Sequence, residues 1–147
     1  MTEPVSRKDK YGSYKLQCHN HRHGKVVKAT FVGALGSGLA RHYKNDLLKL
    51  AAKIAPQPWA YIADCTEYQA SIPEAAEYLR QAYEGALKSG CVGDAYCISS
   101  AMGIAQLAKI RHQCGIDSAI DERIYPSVQE AEAAALGLLE NLPSCSS

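Results

Sequence analysis

The chain has 147 residues, of which 47% are hydrophobic and 21% charged; this is ordinary for one globular domain and excludes a mainly disordered polymer. Lys plus Arg number 16 and Asp plus Glu 15, so the chain lacks the basic excess with which a dedicated nucleic-acid binder neutralises phosphates. No apolar run approaches the ~20 residues of a membrane-spanning helix.

Met1 to Lys10 is polar and carries no apolar leader core. The expected location is therefore the cytoplasm. There the six cysteines (Cys18, Cys65, Cys91, Cys97, Cys114 and Cys145) read as reduced thiols. No CxxC pair suggests zinc or redox chemistry. Cys65, Cys97 and Cys114 fit small buried hydrophobes, and Cys145 an exposed thiol in a polar tail.

Residues 1–13 read as a flexible arm, 14–140 as a single domain and 141–147 as a disordered tail. Tyr14 to Cys18 and Lys25 to Val32 are strand-like, and Asn20 to Gly24 between them predicts a hairpin. Ser37 is placed to cap a helix. Its buried stripe is Leu39, Tyr43, Leu47, Leu50, Ala51 and Ile54, spaced by three and four residues, and Pro56 and Pro58 stop it. Trp59 to Ala63 is continuously apolar, as in a strand covered on both faces. Ser71-Ile-Pro-Glu74 has the form of a capping box opening a second helix with Ala75, Leu79, Ala82 and Ala86 inward.

Ala95 to Ile98 is the next strand. Ser99 or Ser100 caps a third helix that presents Ile104, Leu107, Ile110 and Cys114 and ends at Gly115. Arg123 to Tyr125 is a last short strand. Ser127 and Glu130 form a capping box on a final helix with Val128, Ala131, Ala135 and Leu138 inward.

The predicted fold class is α/β. An N-terminal β-hairpin leads into a mainly parallel sheet of about five strands, wound as a βα superhelix with about four helices. If the strands lie in sequence order, every crossover helix falls on the same face. The other face then needs cover, which a homodimer supplies.

This order resembles the STAS or SpoIIAA-like (anti-sigma-factor-antagonist-like) fold over residues 14–140. Two stretches carry the likeness. Trp59-Ala-Tyr-Ile-Ala-Asp64 is similar to the family's central strand, an apolar run closed by Asp. Arg123-Ile-Tyr-Pro-Ser-Val-Gln-Glu-Ala131 is similar to its last strand entering the final helix. The resemblance implies a non-enzymatic regulatory module that docks a protein partner, a regulator or a kinase, without a cofactor.

In the regulatory branch a Ser after the Asp strand is phosphorylated within Asp-Ser-Ser-Gly. Here the region reads Asp64-Cys-Thr-Glu-Tyr-Gln-Ala-Ser71-Ile-Pro-Glu. Asp64 matches the Asp, and Ser71 is the serine at the helix start, without the Asp and Gly neighbours. A phosphate on Ser71 would gain from the helix dipole and be opposed by Asp64, Glu67, Glu74 and Glu77. The expected docking surface comprises Asp64, Cys65, Thr66 and Ser71 with Ser99, Ser100 and Met102.

Two alternatives stay open. Other relatives resemble lipid-carrying modules, which implies a small apolar ligand; Tyr43, Tyr61, Tyr68, Tyr78, Tyr83 and Met102 would line its cavity. A small enzyme would use Cys65 or Asp64, and a depressed Cys65 thiol pKa would be its sign. No GxSxG elbow occurs.

Gly33-Ala-Leu-Gly-Ser-Gly38 sits where a phosphate loop would, but Leu39 and Ala40 stand where Lys and Ser or Thr are needed. His19, His21 and His23 are the metal candidates. They read as an exposed hairpin tip, since a closed site needs a fourth ligand and supporting partners. The basic cluster Arg7, Lys8, Lys10, Lys15, Arg22, Lys25 and Lys28 reads as a solvated arm and an edge hairpin.

Overall fold

The computed structural model describes residues 4–142. Its elements are β1 (Val5–Lys8), β2 (Gly12–His21), β3 (Gly24–Gly33), α1 (Ser37–Ile54), β4 (Trp59–Tyr68), α2 (Pro73–Lys88), β5 (Cys91–Ile98), α3 (Ala101–Gln113), a 3-10 turn (Ile120–Arg123) and α4 (Val128–Glu140). The five strands form one sheet in sequence order.

β1, β2 and β3 pair antiparallel, while β3, β4 and β5 pair parallel. The sheet is therefore mixed rather than mainly parallel. The reason lies at the N-terminus, where residues expected to be a loose arm supply β1. Val5 packs against the core and Arg7 reaches Asp46 on α1 with Nε 2.7 Å from Oδ2. Lys8 stays exposed, and charge on this edge strand discourages further pairing.

The hairpin is present, with β2 and β3 in register from Gly12↔Gly33 to His21↔Gly24. Gly33 has φ +72°, and a Cβ there would lie 2.4 Å from the Tyr11 carbonyl oxygen. Only glycine lets the β1–β2 turn close over the end of β3.

α1 and α2 bridge the parallel strands and pack on one face of the sheet. The α1 stripe is the one the spacing predicts, with Ala40 added. The core between comprises Tyr14 and Leu16 from β2, Val27, Ala29 and Phe31 from β3, and Trp59, Tyr61, Ala63 and Cys65 from β4. α3 adds Ile104 and Leu107 to its edge.

The opposite face is not bare. α4 lies across it, setting Ala131, Ala135 and Leu139 on Val26, Ala60, Ile62 and Ala95. A Cβ at Gly93 would lie 2.6 Å from Leu138 Cδ1, so β5 is glycine where α4 comes closest. The helices thus occupy both faces, and the ground for expecting a homodimer disappears. The small residues of α4 permit this approach, and the sheet's other alternate positions supply an apolar face to receive it.

The last expected strand is reduced to one parallel bridge, Tyr96↔Ile124. The 3-10 turn ends at Arg123, and Pro126 follows with no N–H to extend a ladder. The Tyr125 N–H still donates to the Tyr96 carbonyl at 2.8 Å. Of the tail expected at 141–147, residues 143–147, with Cys145, lie outside the described residues.

Candidate functional site

β4 runs on to Tyr68, so Asp64 stands within the strand and not at its end. Asp64 is paired opposite Cys97, and Cys65 opposite Ile98. This brings Thr66 and Glu67 beside Ser99 and Ser100 at the carboxyl ends of the parallel strands. Asp64 Oδ1 accepts from the Thr66 N–H (3.2 Å) and hydroxyl (2.8 Å), so that oxygen is already committed to a local turn.

Cys65 points to the face covered by α1 and α2 and is 6% exposed. Burial, and then the Asp64 charge, push its thiol well above the ordinary cysteine range. This is the reverse of the depressed value a nucleophile needs, because the thiolate is the reactive form. Burial also raises Cys97.

Ser71 does not cap α2. Ile72 is the capping residue, with no side-chain bond. Ser71 is buried, and its hydroxyl accepts from the Leu35 N–H (3.1 Å) and meets the Tyr68 hydroxyl at 2.9 Å. Gln106 on α3 completes the knot. Its Oε1 accepts from the Ser71 N–H (3.1 Å) and the Tyr68 hydroxyl (2.6 Å), and its Nε2 donates to the Ser71 carbonyl (2.8 Å). A phosphate on Ser71 would have to break this cluster, so in this conformation the hydroxyl is a structural tie between three elements. Gln106 carries no sequence signal beyond its helical position.

Ser100 caps α3, accepting from the Gly103 N–H at 3.1 Å. Ser99 is exposed, and Met102 is 74% exposed. Tyr11 and Ile72 are 61% and 55% exposed. All three apolar residues sit at the same end of the sheet. The Tyr11 carbonyl accepts from Ala34 just past β3, and Ile72 and Met102 open α2 and α3. Glu67 and Glu74 flank them, exposed.

The glycine-rich turn before α1 holds no anion site. Asp9 reaches back, accepting from the backbone N–H groups of Tyr11 (2.8 Å), Gly12 (2.9 Å) and Gly36 (3.2 Å). Burial opposes its ionisation, but those three donors outweigh it and hold the carboxyl below the ordinary range. A carboxylate thus already occupies the start of α1. His21 closes β2, its Nε2 3.6 Å from Glu140, while His19 and His23 are exposed. Among the described residues, no three His, Cys, Asp or Glu gather as metal ligands would.

A cavity of about 290 Å³ lies between the sheet and α1, α2 and α3. Tyr43, Tyr61, Tyr68 and Tyr83 line it as the sequence suggests, joined by Phe31 and Tyr96. Tyr78 packs against the core without lining it, and Met102 is on the surface. Tyr43 and Tyr61 share a short hydroxyl–hydroxyl bond.

At one end sits a polar cluster. Asp94 and Arg111 are 8% and 3% exposed. Asp94 Oδ2 accepts from the hydroxyls of Tyr83 (2.7 Å) and Tyr96 (2.8 Å) and lies 3.5 Å from Arg111 Nε. Arg111 also donates to the Tyr83 oxygen (3.2 Å) and to Ser118.

No protein-family model and no curated protein matches the sequence. Among solved structures, an anti-sigma factor antagonist from Mycobacterium paratuberculosis superposes with a TM-score of 0.52 at 15% identity, over 84% of this chain and 94% of that one. The chain has the STAS-like fold. The expected α/β architecture thereby holds, with β1 and the placement of α4 as the amendments. Of the residues expected to form the docking surface, Cys65 and Ser71 are buried, Asp64 and Ser100 are half-buried, and Thr66, Ser99 and Met102 are exposed. Among the described residues, no helix is long and apolar enough to cross a membrane.

Sequence reasoning missed Asp94 and Arg111. The one visible signal was an acid one step before an apolar strand, two residues from Tyr96 and so on the same face.

Proposed function

We propose that this chain is a non-enzymatic, cytoplasmic regulatory module that docks a protein partner on the sheet end formed by Tyr11, Ile72 and Met102. The observation that carries the reading is that these three, the most exposed large hydrophobic residues of the described chain, share one end of the molecule. Exposed apolar groups so gathered mark interaction surfaces. The exposed Glu67 and Glu74 beside them suit a partner segment with basic residues. Likeness to an anti-sigma factor antagonist supports a regulatory partner of the anti-sigma type. Asp64, Thr66, Ser99 and Ser100 border the same surface, and Ser71 holds its frame.

The test compares three baits in extract of the source cells: the wild type, the rim variant Ile72→Glu/Met102→Glu, and Leu87→Glu at the far end of α2. A partner retained by the first and third, and bound at least about thirtyfold more weakly by the second, is expected for loss of ~2 kcal/mol at a docking centre. Equal retention by all three baits refutes this surface.

A further inference from the structure

We propose that the cavity beneath α1–α3 is a binding site for a small uncharged molecule: an aromatic or alicyclic body of bicyclic size bearing one hydroxyl or N–H donor, which Asp94 receives. This site does not rest on the docking surface.

Size comes first. At about 290 Å³ the cavity is about twice the ~150 Å³ engineered cavity that holds benzene. Roughly ten to twelve non-hydrogen atoms fit, which suits a fused bicycle and excludes a long acyl chain. Shape and lining come next. Phe31, Tyr43, Tyr61, Tyr68 and Tyr96 present ring faces and edges, several already in edge-on pairs: Phe31 with Tyr43 at 5.0 Å and with Tyr68 at 5.8 Å. A flat ring gains most from such walls.

Access follows from the lining residues. They grade from buried Tyr61 and Ala82 to Leu87, which is 37% exposed, and to exposed Ser118. The mouth therefore lies between the end of α2 and the segment after α3. That is opposite the end bearing Ile72 and Met102.

The polar requirement is set by Asp94. Both tyrosyl hydroxyls and Arg111 converge on its Oδ2. Among the described residues Oδ1 takes no donor, although Asp94 is 8% exposed and lines the cavity. Oδ1 of this largely buried residue is therefore free to accept one more donor, and a ligand in the cavity can bring it. Arg111 already balances the Asp94 charge, so the ligand that fits brings a donor and no net charge. Tyr83, donating to Asp94 and accepting from Arg111, fixes the pair in place.

The probes are 2-naphthol and 2-methoxynaphthalene, which share a ring system and differ in the donor. Binding to the wild-type protein is followed by ligand-observed NMR. The expected result is a sub-millimolar dissociation constant for 2-naphthol and at least tenfold weaker binding of the ether. Ala63→Leu, which extends a side chain from the buried floor of the cavity, should abolish both. Absence of 2-naphthol binding at 1 mM overturns the site, and equal binding of the two probes overturns the role of Asp94. The wild-type comparison decides the matter even if the Leu variant fails to fold.

Discussion

Replacing Asp94 by Ala strands a guanidinium. Arg111 is 3% exposed, and its Nε lies 3.5 Å from the Asp94 carboxylate. Removing one member of a buried pair costs about 3–5 kcal/mol, because the remaining charge is left uncompensated in a poorly solvating medium. The hydroxyls of Tyr83 and Tyr96 also lose their shared acceptor, which places the cost in the upper part of that range. With a urea slope of ~2 kcal/mol per molar, the midpoint should fall by about 2 M. A domain holding ~10 kcal/mol, the middle of the usual range, would stay folded at low denaturant.

The control is Asp94→Ala/Arg111→Met. It removes both charges and leaves an apolar stem of similar length. It should regain about 2 kcal/mol over the single variant, despite losing the Arg111 bonds to Ser118. Equilibrium urea unfolding followed by Trp59 fluorescence reads all three proteins. A loss under about 1 kcal/mol in the single variant, or a double variant no more stable than the single, would refute the argument that this cluster is a balanced buried pair.

Leu139→Ala should cost about 2–5 kcal/mol in urea unfolding, since Leu139 is 1% exposed in the layer between α4 and the sheet; a change under ~1 kcal/mol would mean that α4 does not cover that face. Burial opposes ionisation of Asp46, but its hydrogen bonds from Arg7 and Tyr14 outweigh it and hold the carboxyl low. Its contribution is therefore present above the unfolded Asp value of ~3.9 and lost as pH falls through the lower folded value, so Asp46→Asn should lower the urea midpoint at pH 7 and match the wild type in strong acid. Burial raises Cys65 and Tyr43 and pushes Cys91 up to about 12; the unfolded chain then loses these protons first, and the urea midpoint should drop steadily once pH exceeds ~9.

Periodicity made the helices legible. The α1 stripe and the Ser127–Glu130 capping box are where the spacing places them, with the Glu130 N–H 3.1 Å from Ser127 Oγ. The hairpin followed from one polar turn between two strand-like runs, the second of them rich in Val. What stayed hidden depended on long-range partners. β1 is polar in sequence and becomes a strand through Asp46 and the edge of β2. Ser71 has the local form of a cap, but Leu35, Tyr68 and Gln106 claim it. Asp64, Thr66 and Glu67 masked the continuation of β4, because its outer half is exposed at Thr66 and Glu67. The side assigned to α4 could not be read at all, since an apolar stripe says how much is buried and not against which face.

That side has a consequence for the order in which the protein is made. Val26 and Ala60 are shielded by Ala131 to Leu139, and Lys28 waits for Glu132, 104 residues later. As the chain leaves the ribosome, β3, β4 and β5 can assemble with α1 and α2 while the reverse of the sheet is still open to water. Synthesis stopped before residue 128 yields a half-clad sheet whose naked side invites other nascent chains. The fold is sealed by α4, after every strand it covers has emerged.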